Sequence, residues 1–328
     1  MISWSAVIRT LGNTGDKYIR TIHSILNQNI PPEEIIVVIP HGYSLDYVCG
    51  KERIVYSEKG MVTQRAVGIQ EAHADFLLVA DDDVEFESDF VEKCHRYLTT
   101  HQLDCVLPGW GGTPVTYSLK TRIKGFIRGD LLTSRKSSQW LDVIMRTTGH
   151  KVYVNSVDPD RVFYCQTGCF QLFFVSSKAA QNVRFEEEVW LEKGSISNYA
   201  ILDDETFFYK LYLQGGKTAY CQTALYSHLD AAAGRPAKSK LEERCIRYYA
   251  DRKNRYIFWR KFIYGGSKSL VDKMLSYLAW YGSGIGYILY TTTININPKY
   301  WKSLKAMYQG GIDGRAIYKR IKYSSTSL

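Results

Sequence analysis

Residues 77–83, Leu-Leu-Val-Ala-Asp-Asp-Asp, form an apolar run that ends in three consecutive acids. The pattern predicts a buried strand that stops on a carboxylate cluster at the carboxyl edge of a sheet, where open α/β sheets bind their ligands. Because carboxylates this close repel one another, the cluster favours a divalent cation, and its oxygen ligands suit Mg²⁺ or Mn²⁺ shared with substrate phosphates. The alternative is a solvated turn in which Asp83 caps the following helix.

The segments around this run predict an α/β fold with a mostly parallel, helix-covered sheet, because strand and helix patterns alternate along the chain. The predicted strands are 4–9, 34–39, 53–56, 76–80, 105–108, 162–175 and 219–226, and the predicted helices are 16–28, 61–72, 90–99 and 200–214. The first strand is followed by neither a Gly-x-Gly-x-x-Gly motif nor a P-loop. Those two ways of binding phosphate are therefore excluded.

The charge of the chain is divided unevenly. The 328 residues carry a net charge of +9, but residues 1–233 hold 23 Lys and Arg against 28 Asp and Glu, whereas residues 234–328 hold 19 against 5. This predicts two domains, 1–233 and a basic, mainly helical region 234–328 that meets an anionic surface, with nucleic acid and the cytoplasmic membrane leaflet as the candidates. Seven cysteines without metal-ligand spacing, and no signal-peptide pattern, favour a cytoplasmic protein.

A second acidic cluster, Asp203-Asp204-Glu205, stands where a helix is predicted to begin. Acids in the first turn of a helix are stabilised by its dipole, so simple capping is one interpretation. The following residues are strongly apolar, which would half-bury the acids and raise their pKa values. A carboxylate in such a place is a candidate general base.

His228 follows the last predicted strand. A single histidine is most often an ordinary hydrogen-bonded residue. As a neutral imidazole, it could instead complete a metal site with Asp83.

Taken in order, these motifs resemble the family 2 glycosyltransferases of the GT-A fold. The resemblance rests on Lys59-Gly60 with Arg65 and Gly68, Asp81-Asp82-Asp83 as the Asp-x-Asp motif, Asp203-Asp204 as the later acidic pair, His228, residues 249–255 (Tyr-Ala-Asp-Arg-Lys-Asn-Arg) and residues 311–315 (Gly-Ile-Asp-Gly-Arg). It covers nearly the whole chain.

The resemblance implies inverting transfer of a sugar from a nucleotide-sugar donor, with UDP as the expected nucleotide, to a glycan or polyprenyl-linked acceptor in cell-surface polysaccharide synthesis. Asp81 would contact the donor ribose, and Asp83 would hold the diphosphate through Mn²⁺ or Mg²⁺ with help from His228. Asp204 would be the base. Asp203 and Glu205 are the other catalytic candidates, and Thr10, Lys59, Arg65 and Asp82 are further donor-binding candidates.

The chain departs from the family pattern at two places. Residues 40–44, Pro-His-Gly-Tyr-Ser, lack the acid that contacts the nucleobase in the family, so base recognition is expected to differ. Asp203 stands where the family usually has Glu, which leaves both Asp204 and Glu205 open as the base.

Residues 274–298 contain no charged side chain, yet they include glycines, threonines and asparagines that are polar for a membrane span. An interfacial segment beside flanking Lys and Arg fits better, and predicts peripheral association with the inner membrane leaflet rather than with nucleic acid. The alternative is a helical pair packed on the catalytic domain.

Two other functions are open. A nucleotidyltransferase can have a similar fold, but residues 10–16 lack the basic phosphate-gripping loop it would need. A non-catalytic protein that binds membrane or nucleic acid through the basic region would leave both acidic clusters without a role.

Overall fold

The computed structural model describes residues 2–109, 139–154, 161–229, 239–294 and 299–324, with the isolated residues 118, 119, 123, 132 and 133. It divides into two compact units. The first comprises Met1–Thr113, Val157–Val189 and Asp203–Pro236, and the second comprises Pro114–Ser156, Trp190–Leu202 and Ala237–Leu328. The last boundary lies close to the predicted division after residue 233, and the second unit also includes two segments from earlier in the chain.

The strands are β1 (Trp4–Arg9), β2 (Glu34–Pro40), β3 (Glu52–Ser57), β4 (Phe76–Asp81), β5 (Val84–Phe86), β6 (Cys105–Pro108), β7 (Leu132–Thr133), β8 (Trp140–Leu141), β9 (Val143–Ile144), β10 (Lys151–Val154), β11 (Phe163–Cys165), β12 (Leu172–Ser176), β13 (Thr218–Cys221) and β14 (Tyr226–His228). The helices are α1 (Asp16–Leu26), α2 (Met61–Glu71), α3 (Phe90–Thr100), α4 (Ser177–Asn182), α5 (Asp203–Leu213), α6 (Lys240–Phe258), α7 (Leu270–Ile294) and α8 (Lys299–Ser324), with a 3₁₀ helix at Phe185–Glu192 and a π-helical turn at Trp259–Tyr264.

The first unit is built on a sheet whose strands run in the order β3-β2-β1-β4-β12-β6-β13-β11. Strands β3, β2, β1 and β4 are parallel to one another, as are β6 and β13. Strand β12 is antiparallel to both neighbours, and β11 is antiparallel to β13. A separate antiparallel pair joins β5 to β14. The predicted mostly parallel α/β sheet is therefore confirmed.

Two predicted strands are each broken in the structure. The single strand expected at 162–175 is β11 and β12, because β11 pairs with β13 whereas β12 lies between β4 and β6. Gly168 lies between the two strands, and a Cβ there would come within 2.7 Å of Leu107. The single strand expected at 219–226 is β13 and the start of β14, which are separated by a turn in which Ala224 N donates to Cys221 O.

A close contact places α2 against the sheet. A Cβ on Gly68 would lie 2.4 Å from Val7 Cγ1, so only glycine allows the helix to pack this tightly on β1. The packing is reinforced by Gln64, whose side-chain amide donates to the backbone oxygens of Thr10 and Val38 at the ends of β1 and β2. The start of α2 is thereby held at the carboxyl edge of the parallel strands.

Helix α5 is packed on the sheet by an aromatic cluster. Its members are Phe170, Phe173, Phe185, Phe207 and Phe208, all buried, with ring centroids 5.1–5.5 Å apart. Five buried phenylalanines bury a large apolar area, and their tilted and edge-on arrangements are those that aromatic pairs prefer. They hold the first turn of α5, with its three acids, in a fixed place.

The second unit contains three long helices and a small sheet of β7, β10 and β9. Helix α6 begins with a capping box, in which Ser239 Oγ accepts from Glu242 N while the Glu242 carboxylate accepts from Ser239 N. Helices α6 and α8 pack closely, since a Cβ on Gly310 would lie 2.3 Å from Tyr249 O. Among the residues described, no helix combines the length and apolar character needed to cross a bilayer.

Candidate active site

The first acidic cluster lies at the carboxyl edge of the sheet, as its sequence predicts. Asp81 is the last residue of β4, and its register partner on β1 is Arg9. The Arg9 guanidinium lies 3.0 Å from Asp81 Oδ1. The like charges of the cluster are therefore offset in part by a cation that the sequence interpretation did not identify. The position of Arg9 at the end of the first strand was the available signal.

Arg65, on α2, connects the two acidic clusters. Its Nη1 donates to Asp203 Oδ2 at 2.6 Å, and its Nη2 donates to Asp81 Oδ1 at 2.8 Å. The side chain is 3% exposed, and its guanidinium lies over the ring of Phe170. Burial opposes the charge of Arg65, but the carboxylates of Asp81 and Asp203 outweigh it and raise its pKa above the ordinary value. Asp81 and Asp203, which are far apart in the sequence, are thereby held by the same guanidinium group.

The three acids of the second cluster have different surroundings at the start of α5. Burial raises the pKa of Asp203, and the neighbouring Arg65 opposes that rise. Asp204 and Glu205 are half-buried, and Asp204 Oδ1 accepts from Glu205 N at 2.7 Å. Asp203 is engaged by Arg65. The assignment of Asp204 as the base stays a prediction.

Asp82 fixes the loop that follows β1. Thr10 Oγ1 donates to Asp82 Oδ2 at 2.5 Å, and Thr14 Oγ1 donates to the same oxygen at 3.1 Å. Burial raises the pKa of Asp82, while the Thr10 hydrogen bond opposes the rise. Gly12, in the same loop, has a φ of 80°, and a Cβ there would overlap the backbone oxygen of Ser44. Thr10 and Asp82 therefore act together to shape the edge of the site.

Asp83 and His228 are brought together by the β5–β14 pair. His228 Nε2 lies 3.4 Å from Asp83 Oδ2, and Leu229 N donates to Asp83 O at 2.7 Å. Two ligands each about 2.1 Å from one ion, at roughly a right angle, would be about 3 Å apart, so this separation suits a shared cation. Within the described part of the chain, no three His, Cys, Asp or Glu side chains cluster to hold a metal. The residues fit a cation that takes its other ligands from water and substrate phosphates.

Lys59 is paired with a residue that the sequence interpretation did not assign. The Lys59 ammonium donates to the hydroxyl of Tyr43 and lies 4.8 Å from the centre of its ring. Both residues follow the carboxyl ends of adjacent strands, β2 and β3, which are joined beyond their ends by a hydrogen bond from His41 N to Ser57 O. Tyr43 lies within residues 40–44, the turn that lacks the family's acid, and that position was the signal for it.

Residues 47–173 match the family described as Glycosyl transferase family 2. The matched segment includes Lys59, Arg65 and Asp81 to Asp83, while the Asp203 cluster and His228 lie beyond it. No curated protein sequence matches the chain.

Solved structures with a similar chain path include those of two proteins. One is the crystal structure of GalNAc-T7 with UDP, GalNAc and Mn²⁺, with 14% identity and a TM-score of 0.48 over 90% of this chain and 57% of that chain. Another is S. aureus TarS 1-349 in complex with UDP-GlcNAc, with 12% identity and a TM-score of 0.48 over 99% of this chain and 92% of that chain. The chain thus spans 57% of the length of the GalNAc-T7 chain.

Proposed function

We propose that this chain, whose residues 47–173 belong to glycosyl transferase family 2, is a sugar transferase. It transfers a sugar from a nucleotide-diphosphate donor to a hydroxyl group, with inversion at the anomeric carbon. The observation that carries the proposal is the pair of hydrogen bonds by which Arg65 joins Asp81 to Asp203. This link supports the proposal, because it joins Asp81 to the neighbour of the candidate base Asp204, and a displacement reaction requires donor and base to lie close together.

Each acidic cluster has its own part in the proposed reaction. Asp204 accepts the proton of the acceptor hydroxyl as its oxygen forms a bond to the anomeric carbon. The bond from that carbon to the donor phosphate breaks on the opposite side, and its electron pair leaves with the nucleoside diphosphate. Asp81 contacts the donor ribose. Arg65 holds Asp203 and Asp81, so that the base and the donor keep their separation.

Asp83 and His228 would hold a divalent cation, Mn²⁺ or Mg²⁺, against the donor diphosphate. When bound, such a cation neutralises the negative charge that develops on the leaving group. The spacing of the Asp83 carboxylate and the His228 imidazole supports this assignment, and a carboxylate with an imidazole is a donor set compatible with Mn²⁺.

Lys59 and Tyr43 would take part in recognising the nucleotide. The turn at residues 40–44 offers the nucleobase no carboxylate, whereas Tyr43 offers an aromatic ring and a hydroxyl beside the Lys59 ammonium. An aromatic ring can stack on a base, and an ammonium can donate to a carbonyl of a base or to a phosphate. UDP is the proposed nucleotide. The proposed acceptor is a glycan or a lipid-linked glycan of a cell-surface polysaccharide.

The first test of donor binding is a thermal-shift titration of the whole chain with UDP, GDP, dTDP and CMP, each with and without Mn²⁺. A ligand at 100 times its Kd stabilises the folded state by about 2.7 kcal/mol. We expect stabilisation by one nucleotide that depends on Mn²⁺ and is lost in Asp83→Asn. Asp75→Asn, at the opposite end of β4, is the matched control and keeps the shift. The absence of any nucleotide effect on folded protein would contradict the proposal and favour a non-catalytic binding protein.

The test of the base is sugar transfer by Asp204→Asn and Glu205→Gln. We expect Asp204→Asn to lower kcat by on the order of 10²–10⁴ while nucleotide binding persists, because only proton abstraction is removed. Glu205→Gln is expected to retain most of the activity. The reverse result would assign the base to Glu205.

A further inference from the structure

Helix α7 presents its apolar side outward. Among the side chains of α7 that the structure describes, those buried are Ser276, Trp280 and Ser283. Ser276 accepts from Trp259 Nε1 at 2.7 Å, and Trp280 stacks on Trp259 with ring centroids 4.9 Å apart. A helix of a water-soluble protein normally buries its aliphatic residues and exposes its serines. Helix α7 has the opposite arrangement.

The exposed side of α7 forms one continuous apolar face. It consists of Val271, Leu275, Leu278, Ile285, Ile288 and Leu289, whose exposed fractions range from 46 to 65%. Their spacing of three, four or seven residues places them along one side of the helix. Together they expose an apolar face over most of the length of α7, and a surface of this kind marks an interaction site.

The neighbouring helix α8 exposes aromatic and cationic side chains. Trp301 and Tyr308 are exposed, and so is a row of cations composed of Lys302, Lys305, Arg315, Lys319, Arg320 and Lys322. The two surfaces adjoin, because Arg315 Nη2 donates to the hydroxyl of Tyr281 on α7 at 2.9 Å. The acid within α8, Asp313, accepts hydrogen bonds from Tyr249 and Gln309 inside the same unit and does not neutralise the row.

The charge and composition of this combined surface indicate which partner binds it. Helices that lie in a bilayer interface combine an aliphatic face with aromatic rings and long cationic side chains, and the cations reach anionic headgroups. The surface formed by α7 and α8 has all three of these features. A second copy of this chain related by two-fold symmetry would place two equivalent cationic rows near the same interface. Repulsion between those rows disfavours the second copy.

We propose that the apolar face of α7 and the cationic row of α8 together bind the surface of an anionic lipid bilayer, with α7 lying in the interface plane. The anionic cytoplasmic leaflet has the matching charge. This inference does not rest on the proposed sugar transfer, because it depends only on residues of α7 and α8.

The test is co-sedimentation of the whole chain with vesicles of phosphatidylglycerol and phosphatidylcholine in equal parts, and with pure phosphatidylcholine. We expect binding to the mixed vesicles that weakens at 0.5 M NaCl, because salt screens the cations. Leu278→Glu with Ile285→Glu is expected to lower partition more than tenfold. Lys305→Gln with Lys319→Gln is expected to lower it roughly 25-fold, at about fivefold for each cation.

The control variant changes exposed leucines outside α7 and α8. Leu213→Glu with Leu225→Glu changes two exposed leucines of the first unit and is expected to leave vesicle binding unchanged. Far-UV circular dichroism and the midpoint of urea unfolding show whether each variant is folded. Vesicle binding that is absent, or that the control pair removes equally, would overturn the proposal. Sedimentation velocity showing a dimer that Leu278→Glu dissociates, without vesicle binding, would assign the face to a second copy instead.

Discussion

Arg65 is the side chain on which the geometry of the site depends most directly. Its guanidinium is almost fully buried and donates to two carboxylates that come from different elements, β4 and α5. An isolated buried charge is unfavourable, so the arginine and the two acids are stable only as a set. The planar fork of arginine suits two acceptors at once, which the single ammonium of lysine does not.

We expect Arg65→Met to lower the free energy of unfolding by about 3–5 kcal/mol, because it leaves buried carboxylates without their cation. Urea unfolding measures the loss. Arg96→Met, which removes an exposed ion pair to Glu92, is the control and is expected to cost less than about 1 kcal/mol. Equal losses in the two variants would contradict the expectation that the buried ion pairs of Arg65 contribute more to stability than the exposed ion pair of Arg96.

Lys253 gives a prediction about pH. Burial lowers the pKa of this fully buried lysine to about 8, although Asp313 and Glu192 act in the opposite direction. Its ammonium lies beside the backbone oxygens of Trp190, Leu191 and Lys193. A lysine whose pKa is lower in the folded state binds fewer protons there than in the unfolded state, so its contribution to stability rises with pH above about 8 and levels off near the unfolded value.

We therefore expect the free energy of unfolding of the wild type, relative to Lys253→Met, to increase between pH 8 and 10. Denaturant unfolding of both proteins across this range measures the difference. Parallel stability curves for the two proteins would contradict the lowered pKa.

The side chains of the site were predictable to different degrees. The apolar run that ends at Asp81 marked the sheet edge, and the match of residues 47–173 confirms the family 2 resemblance. Arg9 and Tyr43 were missed because their importance depends on strand register and on a turn contact, which spacing alone does not reveal. Arg65 was expected near the donor, but its partner Asp203 lies far away in the chain and depends on tertiary packing.

At the scale of elements, α5 is anchored by a buried ion pair as well as by aromatic packing. Lys210 Nζ donates to Glu188 Oε1 at 2.7 Å, and the Glu188 side chain is fully buried. Lys210 also donates to Arg184 O and Glu187 Oε2. The carboxylate on the 3₁₀ helix and the ammonium on α5 therefore join two elements within the first unit.

We expect Lys210→Met to lower the free energy of unfolding by about 3–5 kcal/mol, since it leaves the Glu188 carboxylate buried without its cation. The double variant Lys210→Met with Glu188→Leu is expected to recover much of that loss, because no buried charge remains. Urea unfolding of the wild type, both single variants and the double variant forms a double-mutant cycle. A double variant less stable than Lys210→Met would refute the argument.

The helices and strands were more predictable than the breaks within strands. Strands β1 and β4 were predicted from short apolar runs, and α2 and α3 end within a residue of the predicted positions. The two broken strands were not predicted, because the local sequence does not show that β11 and β12 pair with different strands, or that a turn follows Cys221. Such breaks are set by what packs against the strand rather than by strand propensity.

At the scale of the whole molecule, the cysteines give a direct test of the fold. All seven lie in the described part of the chain, and none forms a disulfide; Cys169 is exposed, Cys49 and Cys245 are half-buried, and the other four are buried. Buried thiols react slowly because the reagent cannot reach them and the thiolate is disfavoured.

We expect the native protein to show one thiol that reacts rapidly with an aromatic disulfide reagent, and the unfolded protein to show seven. Cys169→Ser should remove the rapid phase and is the matched control. A rapid phase of several thiols in the native protein would contradict the burial of the remaining cysteines.

The division of the chain was only partly visible in composition. The charge change near residue 233 lies close to the last boundary between the two compact units. Composition did not indicate that residues 114–156 and 190–202 belong to the same unit as the C-terminal helices. Membership of those segments is decided by packing within the unit, such as the hydrogen bonds from Asn254 to the backbone oxygens of Leu191 and Ile201.

The bridge from Asp81 through Arg65 to Asp203 also determines when the site can be completed during synthesis of the chain. A chain emerging from the ribosome presents Arg65 and Asp81 long before Asp203 has been translated. Until then the arginine has only one of its two acids. The bridge can therefore close only after α5 has been synthesised, and the pair of Asp83 and His228 can form only after β14, which follows α5 in the chain.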